Sequence, residues 1–211
     1  MRRSMDEHWN RAGKNMRLKK VDTILTSEAS SVTLELADGR LFKLGGNAIL
    51  DISDLRKISE RELFLHIMSK KIGGIKAPSS PSPPIRLKNV SAVRAENRDK
   101  DTALRPKDPK QKWTRESNGA RALYEQEYYP NTILKLHRVL IQFPRARKCS
   151  EIYYLLGRSF EKLGQPGRAK EAYRTVLQNA STDSCAQAQA VRVYDLAATA
   201  IERISKHMAN Q

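Results

Sequence analysis

The chain has 211 residues, of which 39% are hydrophobic and 6% aromatic, enough for one or two domains with modest cores. No stretch approaches the roughly 18 consecutive apolar residues of a membrane span, and the first twenty residues lack the apolar run of a signal peptide. The net charge of +16 can steer a protein towards nucleic acid, anionic lipid or an acidic protein, yet no zinc-finger, KH or RNP-like motif accompanies it, and a solvated surface with a basic linker is the plainer reading.

Residues 20–72 carry strand signals. Val32, Leu34 and Leu36 alternate with Thr33 and Glu35, Asp38-Gly39 marks a hairpin turn, and Leu41–Leu44 returns with Phe42 and Leu44 on one face. Gly45-Gly46-Asn47 breaks the chain before a strand over Ala48–Ile52. Ser53–Glu60 is a polar connection. Leu63, Leu65 and Ile67 then alternate, which predicts a further strand over Glu62–Ile67 that extends towards Ile72. The expectation is a small antiparallel β meander over residues 1–75.

Asp22-Thr-Ile24-Leu-Thr26, Val32–Leu36, Asp38-Gly39, Phe42-Lys-Leu44 and Asn47-Ala-Ile49, with Trp9 upstream, resemble the central stretch of a FecR-like domain. Val21 and Ser69 stand where that family usually has Gly, and Leu65–Ser69 corresponds to its closing strand. The resemblance covers about a quarter of the chain. It implies a bacterial cell-envelope or periplasmic setting, and a domain that ordinarily has two or three strands before Trp9. A β domain lacking those strands would have open edges, which favour oligomerisation by strand pairing. If the chain starts at its natural beginning, the expected location is cytoplasmic.

Residues 76–113 read as a linker. Pro78–Pro84 is a proline-serine run that should be extended and solvated. Residues 86–115 hold ten Arg or Lys against four acidic residues. A basic docking segment is one reading and a plain tether the preferred one.

Residues 114–211 are helical in pattern. Tyr153, Leu156 and Phe160 share a helix face, Gly157 beside them leaves room for a neighbouring helix, Gly164 suits a left-handed helix terminus, and Pro166 fits the first turn of the next helix. Ala169 and Tyr173 face back, so the segment predicts an antiparallel helix pair. Tyr153, Leu156-Gly157, Phe160, Gly164, Ala169 and Tyr173 resemble a tetratricopeptide (TPR) repeat. Upstream, Tyr129, Leu136, Val139 and Pro144 form a weaker copy, with Thr132 where Ala is usual; aligning Ala120 with Gly157 gives a period of roughly 37. Downstream, Asp183 caps a predicted helix from Ser184 to about His207. The fold class expected is α+β in two modules, a β meander followed by a short helical solenoid.

His8, His66, His137 and His207 lack ligand spacing in the sequence, and Gly45-Gly46 and Gly73-Gly74 lack the Lys of a phosphate loop. No nucleophile elbow is present. The expectation is therefore no enzyme, no metal and no cofactor. Cys149 and Cys185 begin helices about one repeat apart, too far for a disulfide in a regular array, so a free thiol pair is expected. The TPR resemblance implies a protein or peptide partner. Tyr124, Tyr128, Arg158 and Lys162 are the candidate contacts, with Arg158 and Lys162 four apart on one helix as a carboxylate clamp. The expected function is a non-catalytic interaction scaffold of a bacterial envelope; the alternative is a cytoplasmic regulatory or nucleic-acid-associated adaptor that uses the basic charge.

Overall fold

The computed structural model describes residues 9–72, 109–179, 183, 185 and 187–209. They form a β region followed by packed helices, an α+β architecture. The strands are β1 (Thr23–Leu25), β2 (Val32–Glu35), β3 (Leu41–Leu44) and β4 (Ile49–Asp51). A 3-10 turn (Ile52–Leu55) leads to α1 (Glu60–Ile72). The remaining helices are α2 (Pro109–Glu125), α3 (Tyr129–Gln142), α4 (Ser150–Lys162), α5 (Pro166–Gln178) and α6 (Gln187–Ala209). Residues 109–113 of the stretch read as linker thus lie in α2, where Trp113 is buried, and residues 76–108 lie outside the described residues.

The strands do not run as a meander. β2 and β3 form the hairpin predicted around Asp38-Gly39, with Val32 opposite Leu44, and β1 pairs instead with β4, with Ile24 opposite Leu50. The result is one long hairpin pinched in the middle. Asn47 N–H donates to the Ser27 carbonyl, and a Cβ at Gly46 would collide with the Glu28 carbonyl. Thr26 Oγ1 bridges the pinch, donating to the Gly45 carbonyl at 2.7 Å and accepting from Ala48 N–H at 3.0 Å.

The strand expected at residues 62–67, and with it the closing strand implied at Leu65–Ser69, is helix α1. Ser59 Oγ accepts the Glu62 N–H, the Ser59-x-x-Glu62 signature of a helix start. Leu63 and Ile67, one helical turn apart, are buried, whereas Leu65 between them is 56% exposed. The apparent alternation came from one turn of a helix with a solvent-facing Leu.

Two buried clusters hold the molecule together. One joins Leu63, Ile67 and Trp113 to α3, α4, α5 and α6. The other joins Ile24, Phe42, Leu44, Ala48 and Leu50 of the β region to Ala122 and Leu123 of α2. Helix α2 therefore belongs to both. Gly119 makes this possible, since a Cβ there would collide with the carbonyl of Ile49 on β4. Gln126 also lies against the outer edge of β3. Its amide donates to the Lys43 carbonyl and its carbonyl accepts the Lys43 N–H, both at 2.8 Å. A side chain thus occupies part of a strand edge that the sequence left open for oligomerisation.

The cysteines do pair, against the expectation of free thiols. Cys149 and Cys185 form a disulfide with a Cα separation of 5.1 Å. Cys185 does not start α6; it lies two residues before Gln187, and the bond to Cys149 sets it beside the start of α4. Asp183, expected to cap α6, accepts instead from Ser150 N–H at the start of α4 and from Cys185 N–H. Among the described residues no helix is long and apolar enough to cross a membrane.

Candidate partner-binding face

Helices α4 and α5 form the hairpin that the sequence predicted. Gly164, at φ +66°, closes α4 with Gly164 N–H on the Glu161 carbonyl and Gln165 N–H on the Phe160 carbonyl, the paired bonds of a Schellman terminus. Pro166 starts α5. Tyr173 is fully buried, and a Cβ at Gly157 would collide with its ring, so the two helices meet at a glycine–aromatic contact. The Tyr173 hydroxyl donates to Glu161 Oε2 at 2.5 Å. Burial and this carboxylate push its pKa well above the ordinary phenol value.

Helix α4 lies between α2 and α6, and charged side chains link the three. Arg121 of α2 pairs with Glu151 of α4, and Glu161 of α4 pairs with Arg203 of α6 at 2.5 Å. Between these pairs sits Arg158. Its guanidinium carbon is 5.7 Å from the Tyr124 ring centroid and 5.9 Å from that of Tyr154, and its Nη1 donates to the Tyr154 hydroxyl at 3.3 Å. Tyr129 packs on Tyr124 at 5.4 Å, and Tyr154 on Tyr173 at 5.8 Å. The hydrogen bond with Tyr154 raises the Arg158 pKa further. Among the described residues Arg158 has no ion-pair partner, although Arg121 and Arg203 on either side of it do.

This arrangement suits recognition of an anionic group. Two aromatic faces hold the guanidinium in place through cation–π attraction, each worth about 0.5–1 kcal/mol at a wet site. The planar fork then offers donors to a carboxylate without first losing rotamer freedom.

Of the four candidate contacts, the structure brings Tyr124 and Arg158 together. Lys162, one turn further along α4, is exposed. Tyr128 is elsewhere: Phe42 packs edge-on against it at 5.8 Å and Arg40 lies over its ring at 5.5 Å, so it serves the contact between β region and helices. Tyr154 was missed although it lies four residues before Arg158 on the same helix face. Glu161–Arg203 spans 42 residues, and no local pattern signals it.

A second polar cluster joins the β region to α3. Lys135, 1% exposed, donates to Asp54 Oδ2 at 2.9 Å and to Glu116 Oε2 at 2.7 Å. Arg138 reaches Asp51 at 2.9 Å and the other Asp54 oxygen at 2.7 Å, and Asn131 donates to the carbonyls of Asp54 and Arg56. Burial pushes the Asp54 carboxyl up, but Lys135 and Arg138 outweigh it and hold the pKa below the ordinary value. Burial pushes the Lys135 ammonium down, but Asp54, Glu116 and Asp51 outweigh that and raise it. Both groups are held charged, which suits a structural lock better than proton transfer.

An open groove of about 570 Å³ lies beside this lock, lined by Arg56, Glu62, Leu65, His66, Arg138 and Ile141 among others. Arg56 pairs with Glu62, and Arg138 is engaged as above. His66 stacks on His137 at 6.4 Å, two histidines that the sequence placed 71 residues apart and the fold brings together. No family model, no curated protein and no solved structure matches the chain.

Proposed function

We propose that this protein is a non-catalytic interaction scaffold whose two helical hairpins and capping helix act as a short TPR-like array. The face shared by α2, α4 and α6 takes a carboxylate-bearing segment of a partner protein, an acidic stretch or a chain terminus. The observation that carries this reading is Arg158, held between Tyr124 and Tyr154 with no carboxylate of its own among the described residues. Lys162, exposed on the next turn, adds a second cation for the same ligand.

The FecR-like resemblance of residues 22–49 and the Cys149–Cys185 bond both favour a bacterial envelope setting, because disulfides persist where the surroundings are oxidising. A second reading rests on the exposed turn Pro144–Lys148, where Arg145, Arg147 and Lys148 crowd three cations into five residues. That turn favours an acidic polymer such as nucleic acid as partner.

The test is affinity capture of partners by the purified full chain, followed by titration of the captured protein's acidic peptides. Arg158→Glu should lower affinity at least tenfold, and Lys162→Glu less. Equal affinity of Arg158→Glu and wild type would sink the reading. Binding confined to DNA or RNA, with a steep fall in salt, would favour the second one.

A further inference from the structure

The Cys149–Cys185 bond has a third chemical group beside it. The sulfur atoms and a carboxylate oxygen of Asp183 lie within 4.8 Å of one another. We infer that, once the disulfide is reduced, Cys149, Cys185 and Asp183 together bind one divalent cation of the zinc class, with solvent as the fourth ligand.

The donor set fits. Two thiolates and a carboxylate suit a borderline-soft ion that accepts four ligands in a tetrahedron, with metal–sulfur bonds of about 2.3 Å. The backbones already converge, with the two Cα atoms 5.1 Å apart, so the sulfurs need only separate around an ion. Asp183 is oriented as a ligand should be: Oδ1 accepts from Cys185 N–H at 2.8 Å and Ser150 N–H at 3.4 Å, and Oδ2 accepts from the Tyr194 hydroxyl at 2.7 Å. Hydrogen bonds of this kind fix ligating carboxylates in metal sites. Cys149 is also the residue that precedes α4, so the helix's N-terminal amides face the site. Two thiolates, one carboxylate and a dication leave a net charge of −1, which a helix N-terminus favours.

The chemistry balances. A trialkylphosphine breaks the S–S bond and is oxidised to its oxide by taking the oxygen of water, whose two protons pass to the sulfurs. Metal binding then releases those protons to the buffer. The bond and the ion are alternatives at one place, and either one clips the lead-in of α6 to the start of α4. The clip would hold in an oxidising compartment as a covalent bond and in a reducing one as a metal centre. This inference is independent of the Arg158 face.

The experiment uses the full chain, reduced with a phosphine, freed of reductant under inert gas and titrated with Co²⁺ as the probe. One equivalent should produce the visible bands of tetrahedral cobalt and a sulfur-to-cobalt charge-transfer band, and Zn²⁺ should displace it. The oxidised chain should give neither band. Cys149→Ser and Cys185→Ser should abolish the signal, Asp183→Asn should weaken binding at least tenfold, and Tyr194→Phe should weaken it a few-fold. Zinc should raise the thermal midpoint of the reduced wild type by several degrees and that of Asp183→Asn by clearly less. No saturable band in the reduced wild type, or equal affinity and equal thermal shift in Asp183→Asn, would overturn the inference.

Discussion

The two helical hairpins, α2–α3 and α4–α5, share a plan and differ in what their polar residues do. Offset by 37 residues, Ala120 corresponds to Gly157, Glu127 to Gly164, Thr132 to Ala169 and Leu136 to Tyr173. Both turns close in the same way. Glu127, at φ +67°, places its N–H on the Tyr124 carbonyl while Tyr128 N–H reaches the Leu123 carbonyl, as Gly164 and Gln165 do in the second hairpin. The first hairpin also meets the β region, through polar residues of α3 that have no like counterparts in α5. Asn131, Lys135 and Arg138 of α3 bind Asp51, Asp54 and the carbonyl of Arg56; their counterparts in α5 are Arg168, Ala172 and Thr175. One surface of the first hairpin is thereby an interface with the β region.

The largest test of that difference is Lys135→Met. It leaves Asp54 and Glu116 without their shared cation and should cost about 3–5 kcal/mol in a denaturant titration, as loss of one partner of a buried pair does. Ala172→Met in the second hairpin should lose less. The double variant Lys135→Met/Asp54→Asn should recover part of the loss. Equal losses at 135 and 172 would remove the difference.

The same lock predicts a pH profile. Asp54 has a folded pKa below its unfolded value of about 3.9, so its contribution is fully present above that value and is lost as pH falls through the folded pKa. Lys135 has a folded pKa above its unfolded value of about 10.4, so its contribution is fully present below that value and is lost as pH rises through the folded one. Denaturant midpoints should drop at both extremes in the wild type. The drop should be much smaller in Lys135→Met/Asp54→Asn, and an unchanged profile there would place the titration elsewhere.

A smaller effect separates the helix contacts. Gly157→Ala drives a methyl into the Tyr173 ring and should cost about 1–3 kcal/mol through overpacking. The reciprocal Ala120→Gly relieves no contact of this kind and should cost about 1 kcal/mol of helix propensity. Smallest is the turn pair. Glu127→Gly should stabilise by about 1 kcal/mol and Gly164→Ala should destabilise by a similar amount, because only glycine adopts the left-handed conformation without strain. Thermal midpoints that move in the same direction for both would refute the shared turn.

What the sequence showed follows the range of the interactions involved. The α4–α5 hairpin was legible because Gly164 and Pro166 act within a turn of their own positions. The β2–β3 hairpin was legible from Asp38-Gly39 for the same reason. Helix α1 is hidden in the sequence because Leu63, Leu65 and Ile67 satisfy a two-residue period, and its start signal begins at Ser59, inside the polar run Ser53–Glu60. Lys135 with Asp54, and Cys149 with Cys185, are separated by 81 and 36 residues. Their meeting depends on how whole helices sit, which residue spacing does not encode. On the candidate face, Arg158 was visible as a charge four residues from Lys162, but the rings that hold it come from two helices.

Helix α2's membership of two cores bears on how the chain folds as it is made. Asn118 donates to the Asn47 carbonyl from 71 positions further on, and Ala122 and Leu123 complete the core under Phe42 and Leu44. At about 5–20 residues per second, a nascent chain would have its strands outside the ribosome for roughly 4–14 s before that helix followed. During that interval Phe42, Leu44 and Leu50 lack the surface that buries them, so the β region's exposure to wrong partners is set by translation speed between residues 47 and 118.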